Sequence, residues 1–310
     1  MATICLTGGT GLIGTSLTHY LISQGHQIHI LTRNPVREQP KTGIKYFNWN
    51  PDKQTIDSAA LAKADALIHL AGANVAEKRW TSQRKKEILD SRVNSSRLIV
   101  DALKQHPHQI KTVISASAIG WYGPDEKTIF TENMPAHDDF LGTTCRAWEE
   151  SIEPVRQLGI RLVKLRTGIV LANEGGALTE FKKPLRAGIA PILGSGKQMI
   201  SWIHIEDLVS MFAFALENPT LEGVYNAVAP NPVNNKTLML TLAKTLRKFY
   251  IPIHVPAFVL KIMLGEMSIE VLKSCTVSAE KIQRTGFEFL YSKIEDGVKE
   301  LINPEGVVRL

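Results

Sequence analysis

The segment ICLTGGTGLIGTSLTHYLISQGHQIHILTRN, residues 4–34, determines the fold class. Its apolar start at residues 4–6 is too short for a helix and predicts a buried strand. Apolar side chains then recur at helical spacing as far as Ile22, Gly25 stands where a helix ends, and residues 28–31 predict a second strand. A strand–helix–strand unit of this kind is parallel and right-handed, so the segment predicts the opening of an α/β sheet.

Four glycines, at positions 8, 9, 11 and 14, form the turn between the first strand and its helix. Glycine adopts positive φ readily and lets a ligand approach the backbone closely. The N-terminus of the following helix directs free N–H groups and a positive dipole end to the same point, which suits a phosphate. In this context the spacing predicts a dinucleotide-binding turn, with either Gly8 or Gly9 as its first glycine, rather than simple loop closure. The residues predicted to bind there are Thr7, Gly8, Thr10, Gly11, Leu12, Ile13 and Gly14.

The bulk composition is that of a globular protein, with 310 residues of which 44% are hydrophobic and 21% charged. The net charge of +6 is dispersed, and since no block of like charges exceeds RKK at residues 84–86, no nucleic-acid partner is expected. No apolar run is long enough to span a bilayer, so no membrane partner is expected either. The cysteines at positions 5, 145 and 275 lack CxxC spacing, which predicts neither a metal site nor disulfides and favours a cytoplasmic location.

Short apolar runs alternate with amphipathic helical patterns along the rest of the chain. Strands are predicted at residues 44–49, 66–70, 112–116, 162–165 and 224–227, and helices at residues 84–103, 143–157 and 205–216. This alternation predicts a Rossmann-type, doubly wound parallel sheet in an α/β protein. The pattern loosens at residues 173–198 and 230–310, which are expected to form a small C-terminal substrate lobe. The nucleotide-binding domain is then residues 1–172, completed by residues 199–229.

The end of the second predicted strand bears on the choice of dinucleotide. It reads LTRN, residues 31–34, with no acidic residue where NAD-binding proteins usually place one for the ribose 2′-hydroxyl. Thr32 and Arg33 stand there instead. A guanidinium binds a 2′-phosphate that a carboxylate would repel, so the sequence favours NADP over NAD. The alternative is an arginine that only faces solvent.

Four segments, in the same order along the chain, resemble the extended short-chain dehydrogenase/reductases. They are TGGTGLIG at 7–14, HLAGANV at 69–75, VISASAIGWYG at 113–123 and GSGKQMISWIHIEDLV at 194–209. The later segments IPIHVPAFVLKIMLGEMSIEVL and AEKIQRTGFEFLY are similar to the epimerase family protein branch, which carries a short C-terminal domain of unknown function. The resemblance implies an NADP-binding protein related to enzymes that epimerise, dehydrate or reduce nucleotide sugars and similar compounds.

The same resemblance implies further cofactor contacts, mostly at the ends of strands. The residues implied are Leu70, Ala71, Gly72, Glu87, Arg92, Ser115 and Val170, with Ser117 also near the nicotinamide. Ligands of doubly wound sheets gather at the carboxyl ends of the strands, which supports the strand-end members of this set. Ordinary packing is the alternative for each of them.

The resemblance fails at the catalytic pair. The superfamily uses a tyrosine and a lysine four residues apart on one helix, where the lysine lowers the phenol pKa for proton transfer. In the equivalent stretch FLGTTCRAWEESI these positions hold Leu141 and Cys145, and a shift of one residue gives Gly142 and Arg146. The sequence therefore predicts that the usual proton-transfer pair is missing, which weighs more against an epimerase than against a reductase.

Three explanations for the missing pair remain open on the sequence. In the first, Ser117 and Tyr122 or His204 take over the proton chemistry, the alternative being that Tyr122 shapes a loop and His204 braces a strand-to-helix corner. In the second, Cys145 is the acid or base, although a small buried hydrophobe is the simpler role. In the third, the protein binds NADPH as a regulator without turnover. Lys197 and His204 are predicted to contact a small-molecule substrate. The sequence leaves open the identity of this substrate and the oligomeric state of the protein.

Overall fold

The computed structural model describes residues 1–35, 42–247 and 249–303. The strands within these residues are β1 (Thr3–Thr7), β2 (Gln27–Thr32), β3 (Ile44–Asn50), β4 (Thr55–Ile56), β5 (Ala66–His69), β6 (Thr112–Ala118), β7 (Ile129–Phe130), β8 (Arg161–Thr167), β9 (Ile169–Leu171), β10 (Ile189–Leu193), β11 (Met199–Ile200), β12 (Trp202–His204), β13 (Gly223–Ala227), β14 (Val233–Asn234), β15 (Ile251–Val255) and β16 (Thr276–Val277). The α-helices are α1 (Leu12–Ser23), α2 (Ala59–Ala62), α3 (Ser82–Gln105), α4 (Phe140–Ile152), α5 (Gly176–Arg186), α6 (Ile205–Glu217), α7 (Asn235–Thr245), α8 (Ala257–Leu264), α9 (Ser268–Leu272), α10 (Glu280–Gln283) and α11 (Ile294–Ile302).

An eight-stranded sheet in the order β13-β8-β6-β5-β1-β2-β3-β4 forms the centre of the molecule. Its strands run parallel from β13 to β3, and β4 pairs antiparallel with β3 at the edge. On the central strand β1, Leu6 lies opposite Ile30 of β2 and Ile68 of β5. The predicted α/β, doubly wound parallel sheet is confirmed, and the carboxyl ends of β1, β5 and β6 meet at one edge.

Side chains that alternate along β1 explain why helices cover both faces of this sheet. Ile4 and Leu6 are fully buried in the apolar cluster that contains Leu17 and Leu21 of α1, whereas Cys5 is fully buried on the other face with residues of α3. Because parallel strands are covered on both faces, they read as continuous apolar runs. Each fully buried leucine contributes about 2 kcal/mol by leaving water.

The predicted helix at residues 143–157 is wrong at both ends. Helix α4 begins at Phe140 because Asp139 is its N-cap, with Oδ1 accepting the N–H of Gly142 at 2.7 Å. It ends at Ile152, where a 3₁₀ helix, Glu153–Leu158, takes over. Pro154 lacks the N–H that a continuing α-helix needs.

The C-terminal part adds small paired strands rather than a second large sheet. Strand β10 pairs with β15 and β11 pairs with β14, while α8 and α9 follow β15. Arg79, in the loop before α3, donates to the carbonyls of Ile262 and Met263, and Lys85 pairs with Glu266. The division into residues 1–172 with 199–229, and 173–198 with 230–310, stays a prediction, and residues 304–310 of that range lie outside the described residues. Over the described ranges, every helix is too short or too polar to cross a membrane.

Candidate functional site

At two glycines of the turn after β1, any larger residue would clash with neighbouring backbone atoms. Gly8 has φ of +70°, and a Cβ there would lie 2.9 Å from the carbonyl carbon of Leu70. A Cβ on Gly14 would overlap the carbonyl oxygen of Gly8, so α1 approaches the turn as closely as backbone allows. Gly9 is crowded only by the side chain of Ile30, at 3.0 Å. This geometry favours Gly8, Gly11 and Gly14 as the key glycines.

The N-terminus of α1 leaves its first N–H groups available to a ligand. The N-cap is Gly11, which has no side chain to accept from them, and no side-chain cap is formed there. Leu12 and Ile13 begin the helix, so their N–H groups and the positive dipole end point outward from the turn. A cavity of about 510 Å³ opens beside Thr10, Gly11 and Leu12. An uncapped helix end beside a glycine turn fits the pyrophosphate of a dinucleotide.

A buried hydrogen-bond chain fixes residues 70–72 beside that turn. The Thr7 hydroxyl accepts the N–H groups of Leu70 and Ala71 at 3.1 and 3.3 Å and lies 2.7 Å from Nδ1 of His69. Nε2 of His69 lies 3.1 Å from the hydroxyl oxygen of Ser96 on α3. Burial, followed by the Arg92 charge, lowers the pKa of His69 to about 3, so the imidazole is neutral. These hydrogen bonds tie β1, β5 and α3 together beside residues 70–72, where the sequence predicts contacts with a cofactor.

Arg92 lies against this segment, and its contact with a cofactor stays a prediction. Its Nη1 donates to the carbonyls of Ala73 and Ile88 at 3.0 Å, and its guanidinium lies 4.9 Å from the centroid of the Trp148 ring. Burial lowers the pKa of Arg92. Burial also raises the pKa of Cys145 to about 12, a rise that the nearby Arg92 charge opposes. The lysine position of the superfamily therefore holds a neutral thiol with a guanidinium beside it.

Positive side chains gather where β2 ends. Arg33 is exposed there, and Arg84, in the first turns of α3, is buried. The Arg84 hydrogen bond lowers the pKa of Glu87, and the charges of Lys78 and Arg33 contribute in the same direction. Nη1 of Arg84 lies 2.7 Å from the Glu87 carboxylate, so this carboxylate already has a partner, and its cofactor contact stays a prediction. Thr32 is half-buried beside Arg33.

The end of β6 holds two buried serines that bond to the protein itself. The Ser115 hydroxyl donates to the carbonyl of Ala116 at 3.1 Å. The Ser117 hydroxyl donates to Glu149 Oε1 on α4 at 2.7 Å, and the same carboxylate accepts from Arg166 Nε at 2.8 Å. Arg166 and Glu149 are both buried. Sequence reasoning missed this ion pair, although a glutamate on the apolar face of α4 and an arginine inside β8 were its visible signals.

Tyr122 is hydrogen-bonded to Arg166, the partner of Glu149, and its burial disfavours the proton transfer predicted for it. It is fully buried, its hydroxyl donates to Asn226 Oδ1 at 2.7 Å, and it accepts from Arg166 Nη1 at 3.1 Å. Burial raises the pKa of Tyr122 to about 12. A phenol that is closed to solvent and this weakly acidic fits the alternative role of shaping the loop after β6.

His204 likewise fits the alternative that the sequence left open, a brace at a strand-to-helix corner. Its Nδ1 accepts the N–H of Glu206 at 3.2 Å as the N-cap of α6, and its Nε2 lies 3.1 Å from Glu300 Oε2. The ring is fully buried, and burial lowers the pKa of His204 to about 4. Lys197 lies on the exposed turn between β10 and β11, and Val170 lies in β9 opposite Ile203 of β12.

A histidine-centred cluster that the sequence did not single out lies at the start of α4. His137 Nδ1 is 3.0 Å from Asp139 Oδ2, and the backbone N–H of His137 donates to the carbonyl of Trp121 at 2.8 Å. Lys273, after α9, lies with its Nζ 3.3 Å from Glu270 and 3.9 Å from Asp139. The sequence signal was a His-x-Asp spacing just ahead of a helix, in NMPAHDDF.

The parallel sheet and its glycine-rich first turn define a class, the dinucleotide-binding proteins of Rossmann type. The chain belongs to the NAD dependent epimerase/dehydratase family, whose model matches residues 4–228. A model of a domain of unknown function matches residues 255–301. The resemblance found in the sequence is thereby confirmed.

Relatives match along nearly the whole chain. Epimerase family protein YfhF of Bacillus subtilis is 37% identical over 301 residues, covering 96% of this chain and 97% of that protein. The crystal structure of human epimerase family protein SDR39U1 with NADPH has a TM-score of 0.85 and 29% identity, covering 97% and 99%. The nucleoside-diphosphate sugar epimerase of Corynebacterium glutamicum gives a TM-score of 0.78 at 30% identity, covering 98% of this chain and 58% of that one.

Proposed function

We propose that the protein binds NADP(H) and is an oxidoreductase that transfers a hydride between this cofactor and a small carbonyl or sugar-type substrate. The observation that carries the proposal is the uncapped N-terminus of α1 against the Gly8–Gly14 turn, which matches a pyrophosphate site. The similar human protein was crystallised with NADPH, which supports the same nucleotide here.

The charges at the end of β2 support NADP over NAD. Arg33 is exposed, with Lys78 and Arg84 near enough to act on the same carboxylate of Glu87. The end of β2 carries Arg33 and no acidic residue, so a 2′-phosphate beside Arg33 meets a cation, while the Glu87 carboxylate is already paired with Arg84.

Reduction fits the site better than epimerisation. An epimerase that oxidises and re-reduces its substrate moves a proton in both directions, and the usual pair is replaced by Leu141 and Cys145. Hydride transfer itself needs mainly the placement of cofactor and substrate. A second candidate function, an NADPH-binding regulator without turnover, is favoured by the burial of Tyr122 and Cys145.

The two candidates separate in one experiment on the full chain. NADPH consumption is followed over a panel of aldehydes, diketones and nucleotide sugars, with thermal unfolding measured with and without NADPH. An oxidoreductase oxidises NADPH with at least one compound, whereas a regulator shows only a raised unfolding temperature. The Gly14→Ala variant is the control, because it displaces α1 from the turn, and with it the N–H groups that would bind the cofactor, and so removes both signals. No stabilisation by NADPH in the unmodified chain contradicts both candidates.

A further inference from the structure

The protonatable groups at the carboxyl edge of the sheet differ sharply in their access to a substrate. Tyr122 and His204 are fully buried, and Cys145 and Ser117 are nearly so. The His137 side chain, by contrast, is 48% exposed. Since a general acid or base must reach the reacting atom, exposure at this edge singles out His137.

His137 lies next to the position of the missing tyrosine. A Cβ on Gly142 would overlap the carbonyl oxygen of His137, so the two backbones touch at the first turn of α4. Leu141, at the tyrosine position, is the preceding residue, and it packs on Gly120 in the loop after β6. The imidazole itself lies on Gly123 of the same loop, where a Cβ would collide with it. His137 thus stands beside the end of β6, where the nicotinamide and substrate were predicted.

Asp139 orients this imidazole. Its Oδ2 lies 3.0 Å from His137 Nδ1, while its Oδ1 accepts the Gly142 N–H and so is held by the start of α4. The backbone N–H of Asp139 also approaches Nδ1, at 3.3 Å, but the carboxylate is closer and its bond to Nδ1–H is charge-assisted, so we expect it to fix that tautomer and to leave Nε2 to exchange protons. Imidazole is the side chain that exchanges protons most readily near neutral pH.

We infer that His137 is the catalytic acid and base of this protein, with Asp139 as its positioning residue, in place of the tyrosine–lysine pair. The inference rests on the proposed oxidoreductase function. In carbonyl reduction a bound NADPH would supply a hydride, with both of its electrons, to the carbonyl carbon. His137 in its doubly protonated form would give the Nε2 proton to the carbonyl oxygen, which yields the alcohol, and the neutral imidazole left behind would regain a proton from the solvent.

Charged groups on neighbouring elements face this dyad. Glu270 on α9 and Lys273 after it lie next to Asp139, and burial raises the pKa of Glu270, which Lys273 opposes. Asp138 and Arg146 form an exposed pair on the α4 side, 3.8 Å apart. Lys273 is buried beside two carboxylates, so its charge remains close to the dyad in the folded protein.

The first readout is independent of turnover. Nitrogen-15 NMR of the histidine side chains, on the full chain with NADPH, reports the tautomer of His137. We expect the Nδ1–H form in the unmodified protein and a shift towards Nε2–H in Asp139→Asn. The dyad is overturned if the unmodified protein shows the Nε2–H form of His137, or if the tautomer of His137 is the same in Asp139→Asn as in the unmodified protein.

The second readout is single-turnover oxidation of bound NADPH with phenanthrenequinone as the carbonyl probe. We expect His137→Gln to lower the rate at pH 7 by about 100-fold or more, with NADPH binding unchanged by calorimetry. The unmodified rate falls as pH rises through the range where the His137 NMR signals titrate, and that dependence is lost in the variant. His106→Gln, at the far end of α3, is the matched control and stays at the unmodified rate.

The outcomes separate this inference from the proposed function. Equal rates and pH profiles for His137→Gln and the unmodified protein overturn the dyad and leave the oxidoreductase standing. An unmodified protein that binds NADPH but oxidises none of it contradicts the oxidoreductase, and with it the catalytic role of His137.

Discussion

Three arginines near the carboxyl edge of the sheet have different environments: Arg33, Arg92 and Arg166. Arg33 is exposed, Arg92 donates to backbone carbonyls, and Arg166 is buried in a pair with Glu149. A guanidinium stays charged in all three places, so it is buried only where acceptors meet it. The exposed one is therefore the one available to a ligand phosphate.

Reversing the charge at Arg33 is expected to change the choice of nucleotide. Arg33→Glu lowers NADPH affinity at least tenfold, because a charge-assisted bond to phosphate is worth about 1.5–3 kcal/mol. NADH affinity changes much less. Calorimetric titration of both nucleotides checks this, with Arg97→Glu, an exposed position farther along α3, as the control. Equal losses for NADPH and NADH contradict phosphate recognition by Arg33.

Removing the buried carboxylate of Glu149 is expected to destabilise the fold strongly. Glu149→Gln leaves Arg166 buried without its counter-charge, which costs about 3–5 kcal/mol in the free energy of unfolding. Urea denaturation measures this loss. Glu180→Gln breaks an ion pair exposed at both ends and changes stability by less than about 1 kcal/mol. Similar values for the two variants would show that the Glu149 pair is not a buried charge pair.

At the scale of elements, the approach of α1 to β1 creates the ligand site. The helix begins at Leu12, four residues after the positive-φ Gly8, and it contacts the turn through Gly14. Strand β5 is joined to the same turn by Thr7 and His69. The turn is therefore set by backbone packing and by one buried imidazole.

Alanine at two glycines of the turn is expected to have different effects. Gly14→Ala forces α1 away from Gly8 and lowers both stability and NADPH affinity. At Gly11 an added Cβ meets only the Gly8 oxygen at 3.3 Å, so Gly11→Ala changes stability little while it crowds a bound pyrophosphate. Urea unfolding and NADPH titration, run on both variants, check this. A Gly14→Ala protein with unchanged stability would contradict the close helix approach.

The buried His69 is expected to make stability fall in acid. The pKa of His69 is about 3 in the folded protein and about 6.5 in the unfolded chain. Below pH 6.5 the unfolded chain therefore binds a proton that the folded protein does not, and the free energy of unfolding decreases as pH falls. The loss is about 1.4 kcal/mol per pH unit between pH 6 and 4. Asp207, whose pKa burial raises to about 6, acts in the opposite direction over part of this range.

Comparison of variants isolates the His69 contribution. Urea unfolding between pH 7 and 4 has a shallower pH dependence in His69→Asn than in the unmodified protein, while His106→Asn follows the unmodified protein. Parallel curves for His69→Asn and the unmodified protein would mean that His69 is not held neutral in the fold.

At the scale of the whole molecule, the sheet supplies the proposed cofactor site, and the C-terminal segment contacts the starts of α3 and α4. Arg79 and Lys85, just before and within α3, bind α8 and the turn that follows it. Lys273, from the same C-terminal segment, reaches Asp139 at the start of α4. The proposed proton-transfer cluster is thus assembled from the middle and the C-terminal part of the chain.

The sequence predicted what local patterns encode. The order of strands and helices, the glycine turn and the absence of an acid near Arg33 follow from spacing and residue type, and the sheet is confirmed. Ser117, Tyr122 and His204 were recognised by type, but their hydrogen-bond partners Glu149, Asn226 and Glu300 lie far away in sequence. Burial by distant partners changes what a hydroxyl or imidazole can do, and no local pattern reports it.

Titration of the unmodified 310-residue chain with NADPH and NADH by calorimetry tests the central claim most directly. We predict one molecule of NADPH bound per chain, with an affinity at least tenfold above that for NADH. An absence of heat with either nucleotide would contradict the pyrophosphate site at the turn between β1 and α1, and with it the proposed function.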